Sequence, residues 1–195
     1  MKGIIWFYPA LTCEASRIAQ QNCFKLHLEK PEALFMEIEL QKVSDSEKGI
    51  LANLLQLCMH DYTEFEPFEI GSDGRFHYRW FDAYFQEECR YAYLLKVENN
   101  LGGFVLVRKN PDKEDWDYQI AEFFILRRYR NQGIGTTVAN KTLERFEGLW
   151  EISYSIANKP ALKFWKKVSE HYSNVEHQTH FDGNDRSRYL IHTAK

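Results

Sequence analysis

The residues with types and spacing suited to chemistry are concentrated between positions 119 and 138. An apolar run, Ile120-Ala-Glu-Phe-Phe-Ile-Leu126, is rich in the β-branched and aromatic residues of a buried strand. Cationic and polar residues follow, then Gly133-Ile134-Gly135, and then residues 136–147 at helical spacing. A strand, a glycine loop and a helix start in direct succession make a cradle for an anion. Glycines let the main chain approach closely, and the first-turn N–H groups of a helix point outward without acceptors. Arg130 is expected to add positive charge on the same side. The chemistry implied is the holding of a phosphate or diphosphate.

Two familiar phosphate loops do not fit. A dinucleotide fingerprint requires Gly-x-Gly-x-x-Gly early in the chain, whereas here Val138 takes the third glycine position. A Walker loop requires Gly-Lys-Ser/Thr, which is absent. Arg130-x-x-Gly133-x-Gly135 instead resembles the Arg/Gln-x-x-Gly-x-Gly/Ala signature of the GNAT superfamily of acetyl-CoA-dependent N-acetyltransferases. A second block, Asn158-Lys-Pro-Ala161-Leu-Lys-Phe164-Trp165, is similar to that superfamily's Asn-x-x-Ala-x-x-Phe/Leu-Tyr segment. The resemblance runs from about residue 36 to the C-terminus.

The resemblance implies an α/β fold of α+β type. It would have a mixed sheet of about seven strands, splayed between the fourth and fifth, with about four flanking helices. Acetyl-CoA would enter the splay, its pantetheine arm pairing with the main chain of Phe124, Ile125 and Leu126. The amides of Arg130, Asn131, Gln132, Gly133, Ile134, Gly135 and Thr136 would hold the pyrophosphate, and Asn158 would bind the cofactor or a water. An N–H at Ile125 would stabilise the oxyanion, and transfer to the amine would be direct. An amine is mostly protonated near neutral pH, so a base is needed, and Glu122 on the central strand is the candidate. The alternative for Glu122 is a solvent-facing or arginine-paired carboxylate. Trp165 holds the position where relatives carry a Tyr hydroxyl as general acid. Indole is a poor acid, so Trp165 is expected to pack beside the cofactor, with water, Tyr154 or Tyr172 supplying the proton.

The acceptor would lie over the splay, near residues 61–74 and the helix after them. Asp61, Tyr62, Glu64 and Tyr78 are the candidate contacts, beside Glu66, Glu69 and Trp116. Acids beside aromatics suit a cationic, polyamine-like, amino-acid-like or aminoglycoside-like amine. Phe65, Trp80 and Phe81 are expected in the core. The leading expectation is a cytoplasmic N-acetyltransferase, monomeric or homodimeric, acting on a small-molecule amine. A protein or peptide amine is a variant, and a non-catalytic acyl-CoA-binding module is the alternative.

Length and composition agree with one globular domain. The chain has 195 residues, 44% of them hydrophobic and 15% aromatic, and a net charge of -3 that gives no reason to expect nucleic acid. Cys13, Cys23, Cys58 and Cys89 lack metal or redox spacing and read as reduced thiols. His177-x-x-His180 lacks a third ligand and reads as surface, so no metal is expected. No apolar stretch approaches a membrane span, and Pro9 breaks the signal-like residues 3–11. Residues 1–35 are read as an N-terminal extension of the domain at 36–195, with an amphipathic helix possible over 12–28.

The remaining elements follow from pattern. Residues 36–42 alternate as a strand, and Ser44-Asp-Ser-Glu47 is a capping box for a helix reaching about His60. A second helix is expected over 76–87. Strands over 91–97 and 101–108 flank a hairpin turn at Glu98-Asn-Asn100. A fifth strand over 149–156, a helix over 159–169, and strands over 175–181 and 188–193 split by a turn at 182–185 complete the order.

Overall fold

A computed structural model describes residues 36–112, 115–181 and 185–194. The expected helix at 12–28 and most of the turn at 182–185 lie outside the described residues, as do Cys13 and Cys23. The centre of the fold is an antiparallel pair, β2 (Arg90–Val97) and β3 (Asn100–Lys109). Their connection places Glu98 at φ 50° and Asn99 at φ 62°. Two successive left-handed residues form the turn whose twist matches that of the flanking strands, which is why the Asn-rich link forms a hairpin. Residues 104–107 of β3 are fully buried and their side chains alternate between two cores. Val105 and Val107 belong to one core, Phe104 and Leu106 to the other.

Around this pair, β1 (Ile38–Lys42), β4 (Tyr118–Ile125), β5 (Gly148–Ser155), β6 (Val175–Thr179) and β7 (Arg186–Thr193) complete a seven-stranded sheet. The order is β1-β2-β3-β4-β5-β7-β6, and β4 with β5 is its parallel pair. On one face lie α1 (Lys48–Tyr62) and the single turn α2 (Ala83–Gln86). They bury Leu51, Leu54, Leu55, Cys58 and Tyr84 against Phe104, Leu106 and Phe124. On the other face α3 (Ile134–Leu143) and α4 (Lys159–Ser169) bury Ile134, Val138, Leu143, Trp165 and Val168 against Val105, Val107, Trp150 and Ile152. The outer carbonyls of β1 are covered: Lys141 donates to Ile38 O and Arg145 to Leu40 O. That cover blunts an edge otherwise open to pairing with another strand.

The capping box forms as expected, with Glu47 accepting from Ser44 N at 3.0 Å. It closes a 3₁₀ turn (Asp45–Glu47) ahead of α1. The helix expected over 76–87 does not form and shrinks to the four residues of α2. The Gln56 side chain replaces a helical ladder there. Its amide oxygen accepts from Phe76 N at 2.8 Å and its NH₂ donates to Phe76 O at 2.9 Å. Gly71 N donates to Arg75 O, closing the preceding turn. Trp80 is also not core: it is 43% exposed, with Arg79 and Arg90 on its ring. Phe65 and Phe81 are half-buried, and Phe81 packs edge-on to Phe85 beside the α1 core.

Candidate active site

The parallel pairing of β4 and β5 covers only Tyr118 with Trp150, Gln119 with Glu151, and Ile120 with Ile152. Both strands continue beyond those pairs without pairing each other, so the sheet opens at their C-terminal ends. α3 and α4 both begin at this same end. The alternation of an antiparallel ladder decides which main-chain groups face the opening. Leu126 N donates to Gly102 O at 2.8 Å, so Leu126 and, two residues back, Phe124 turn their N–H groups toward β3. Phe123 and Ile125 turn theirs toward β5. The expected use of the Phe124 and Leu126 main chain is therefore corrected: Phe123 and Ile125 face the opening, and sequence alone did not give the register. The carbonyl of Ile125 accepts from Arg130 Nε at 2.7 Å, which leaves its N–H as the strand's last group aimed into the splay.

After β4 the chain makes a 3₁₀ turn (Arg127–Tyr129) and enters the glycine loop. Asn131 has φ 60° and Gly133 φ 80°, and Gly133 caps α3 with its carbonyl accepting from Thr137 N at 3.1 Å. The N–H groups ahead of Thr137 begin the helix and lack acceptors within it. No atom lies within 4 Å of where a Cβ on Gly133 would stand, so this corner is open to an anion. Gly135 differs, because a Cβ there would lie 3.1 Å from the Phe164 ring. Its small size serves helix-to-helix packing. The Arg130 side chain, expected to add positive charge on the loop's side, is held by other groups. Its second guanidinium nitrogen donates to Asp61 at 2.6 Å, and Arg127 donates to the other oxygen of the same carboxylate at 2.6 Å. Gln132 is turned back, donating to Arg128 O.

Glu122 owes its position to a bulge. The β3–β4 register slips between Leu106 and Val107, so Glu122 faces Leu106 while Ile120 faces Val107. One extra residue, Ala121, reverses the side-chain alternation. Ile120, Phe123 and Ile125 therefore share the α3/α4 face, and Glu122 is delivered to the α1 face among the rings of Tyr62 and Tyr78. Removal from water pushes its carboxyl up to about 7, against the opposing pull of hydrogen bonds from Tyr62 and Tyr78 and the charge of Arg186. Burial likewise raises both phenols, so they remain protonated donors. The buried thiol of Cys58 lies beside Tyr62, and burial holds it well above its usual range.

The second block performs local structural work. Asn158 is the N-cap of α4, its Oδ1 accepting from Ala161 N at 2.9 Å, and Pro160 sits in the first turn. Trp165 is buried, edge-on to Phe123 at 5.1 Å and to Phe164 at 4.7 Å, while Phe123 stacks on Phe164 at 5.4 Å. These three rings wall the opening on the α4 side. Of the two alternative hydroxyls, Tyr154 lies on β5 two residues beyond the last pair with β4, with its OH 3.2 Å from His177 Nε2. Tyr172 follows α4 and bonds Asn140 in the second half of α3, away from the opening. Among the described residues no cluster of three or more His, Cys, Asp or Glu could hold a metal ion.

The expected acceptor residues divide. Tyr62 and Tyr78 meet at Glu122, whereas Asp61 is occupied by two arginines, whose hydrogen bonds outweigh burial and lower its carboxyl. Glu64 is exposed and lies near Arg127. The polar side of β5 and β7 also contributes residues that sequence reading missed: Ser153, Glu151, Arg186 and Arg188. Their alternation with the buried Trp150, Ile152, Tyr154, Tyr189 and Ile191 was a readable sign that they share one face.

Residues 51–169 match the model of the acetyltransferase (GNAT) family. The chain belongs to that family. It is an N-acetyltransferase by family, and acetyl-CoA is the donor that GNAT enzymes use. No curated protein matches the chain. An acetyltransferase from Thermus thermophilus is similar in structure, with 14% identity, a TM-score of 0.62, and coverage of 80% of this chain and 97% of its own. Spermidine N-acetyltransferase from Vibrio cholerae, solved with CoA and spermine, gives 14% identity, a TM-score of 0.58, and coverage of 80% and 95%. Arabidopsis thaliana NAA60, solved with a bisubstrate analogue, gives 16%, 0.53, and coverage of 80% and 96%. At these identities the GNAT likenesses speak to fold alone.

Proposed function

We propose that this chain transfers the acetyl group of acetyl-CoA to a primary amine of a small molecule, with Glu122 as the base. The observation that carries the reading is the pairing of two features across one strand. A carboxyl held near neutrality stands on one face of β4, and the Ile125 N–H points from the same strand into the opening beside β5.

The residues present fit the donor. The first-turn N–H groups at Ile134, Gly135 and Thr136, with the open corner at Gly133, would hold its diphosphate. The Asn131 and Gln132 main chain would flank it, and Phe123 with Ile125 would present main-chain groups to the arm. When bound, acetyl-CoA supplies an activated thioester carbonyl. Ile125 N–H would be the donor to the oxygen of that carbonyl. Glu122 accepts the proton of the incoming ammonium, directly or through one water, and a carboxyl poised at about 7 is half ionised at neutral pH. Tyr62 and Tyr78 fix its oxygens, while Phe123, Phe164 and Trp165 keep water from the opening. Asp61 sits at the rim as an anchor for Arg127 and Arg130, which in turn braces the Ile125 carbonyl. Asn158 acts as the cap that aims α4, and its NH₂ remains available for a ligand at the opening.

Thiol release from acetyl-CoA in the presence of a panel of small amines and amino-terminal peptides tests the proposal. Turnover with a small amine, lost in Glu122→Gln, is the expected result. Turnover of peptides alone, or full activity in Glu122→Gln, would refute it.

A further inference from the structure

We propose that Arg186 receives a carboxylate of the acceptor, so that the amines this chain acetylates are zwitterions of amino-acid type and not polyamines. The inference rests on the reading above and narrows its substrate class.

The cations around the opening differ in what already holds them. Arg127 and Arg130 both bind Asp61 at 2.6 Å. Arg188 is tied to Glu151 at 3.0 Å and to Gln178 at 2.8 Å, and lies over the Phe181 ring at 4.9 Å. Arg186 is held loosely. Its partners are Ser153 Oγ at 3.3 Å and Glu66 at 4.0 Å, and its side chain is 42% exposed. A guanidinium offers five N–H donors in a planar fork that matches a carboxylate, so most of this fork is unfilled by the described residues. It stands at the start of β7, opposite Ser155 of β5, on the polar side of the sheet. It is also close enough to Glu122 for its charge to favour the ionised carboxylate. A loosely held cation fork and a proton-accepting carboxylate within one site describe a receptor for an amine and a carboxylate on one molecule.

Of the acids that would suit a polyamine, Asp61 is already held by two arginines, while Glu64 and Glu69 are exposed and Glu66 lies 4.0 Å from Arg186. A second ammonium group would then meet Arg186 without a committed counter-charge, which costs affinity.

The test uses the full chain with acetyl-CoA and matched amines: lysine against cadaverine, ornithine against putrescine, with spermidine and phosphoethanolamine alongside. Initial rates are measured at about pH 9, well above the Glu122 midpoint of about 7. The carboxylated member of each pair is expected to show a KM lower by about 10- to 100-fold, as for a charge-assisted two-point contact. In Arg186→Met that ratio collapses toward one, and in Arg186→Lys part of it returns, with melting temperatures confirming that both variants fold. Equal or better use of cadaverine, putrescine or spermidine overturns the proposal, as does an unchanged ratio in Arg186→Met. A preference for phosphoethanolamine over every carboxylated amine overturns the carboxylate assignment. Equal or preferred turnover of polyamines refutes this inference while leaving the acetyltransferase reading in place. No turnover of any amine removes both.

Discussion

Removing the hydroxyl of Tyr62 gives a quantitative test of how Glu122 is tuned. The phenol donates to the Glu122 carboxylate and so favours its ionised form. Tyr62→Phe removes that donor and keeps the ring, so the carboxyl must rise from about 7. A hydrogen bond to a charged group contributes about 1.5–3 kcal/mol, and one pH unit corresponds to about 1.4 kcal/mol, so the rise is about 1–2 units. The ionised fraction at pH 7 then falls from about one half to between about one tenth and one hundredth, and kcat/KM at pH 7 falls about 5- to 50-fold. Activity should recover at pH above the new midpoint, because the base is intact and only harder to ionise. The assay is kcat/KM for thiol release between pH 5.5 and 10 in both proteins. An acid limb that stays in place in Tyr62→Phe, or a loss that is equal at every pH, would refute the assignment of Glu122 as a base tuned by Tyr62.

The same carboxyl makes a stability prediction of known sign. Its folded value lies above the ordinary carboxylate range, so folding favours the protonated form. The destabilisation is absent at low pH and grows as pH rises from about 4.5 toward 7. Glu122→Gln should therefore raise the melting temperature at pH 8, by up to about 3 kcal/mol of stability, and leave it unchanged near pH 4; a loss of stability at pH 8 would contradict the burial cost. Gly103 lies at φ 149°, and a Cβ there would stand 1.9 Å from Phe124 O, so Gly103→Ala should cost more than about 3 kcal/mol in chemical denaturation. A near-neutral effect would disprove the β3–β4 approach. Gly135→Val should push the Phe164 ring out of place, lowering stability by about 1–3 kcal/mol and weakening CoA by calorimetry. Unchanged affinity would detach Phe164 packing from the shape of the opening.

What the sequence disclosed was local, and what it withheld was long-range. The glycine loop, the Glu98-Asn-Asn hairpin, the Ser44–Glu47 box and the bounds of α4 each arise from residues a few positions apart, whose conformational preferences are intrinsic. The use of Arg130 could not be read in this way. Its partner Asp61 lies 69 residues away, and only the packing of α1 against β4 brings them together. The missing helix at 76–87 has the same origin, since Gln56 competes for the Phe76 main chain from 20 residues upstream. Glu122 stood out as a candidate by resemblance, but its partners were not legible. A single slip of register at Ala121 decides which face receives it, and alternation counted along β4 without that bulge gives the wrong side.

A structure of the full chain bound to coenzyme A tests the central claim most directly. The diphosphate should rest on the N–H groups at the start of α3 beside Gly133, and the arm should run along the Phe123 and Ile125 main chain between β4 and β5. A diphosphate seated elsewhere, or β4 and β5 closed together through Phe123, would contradict it.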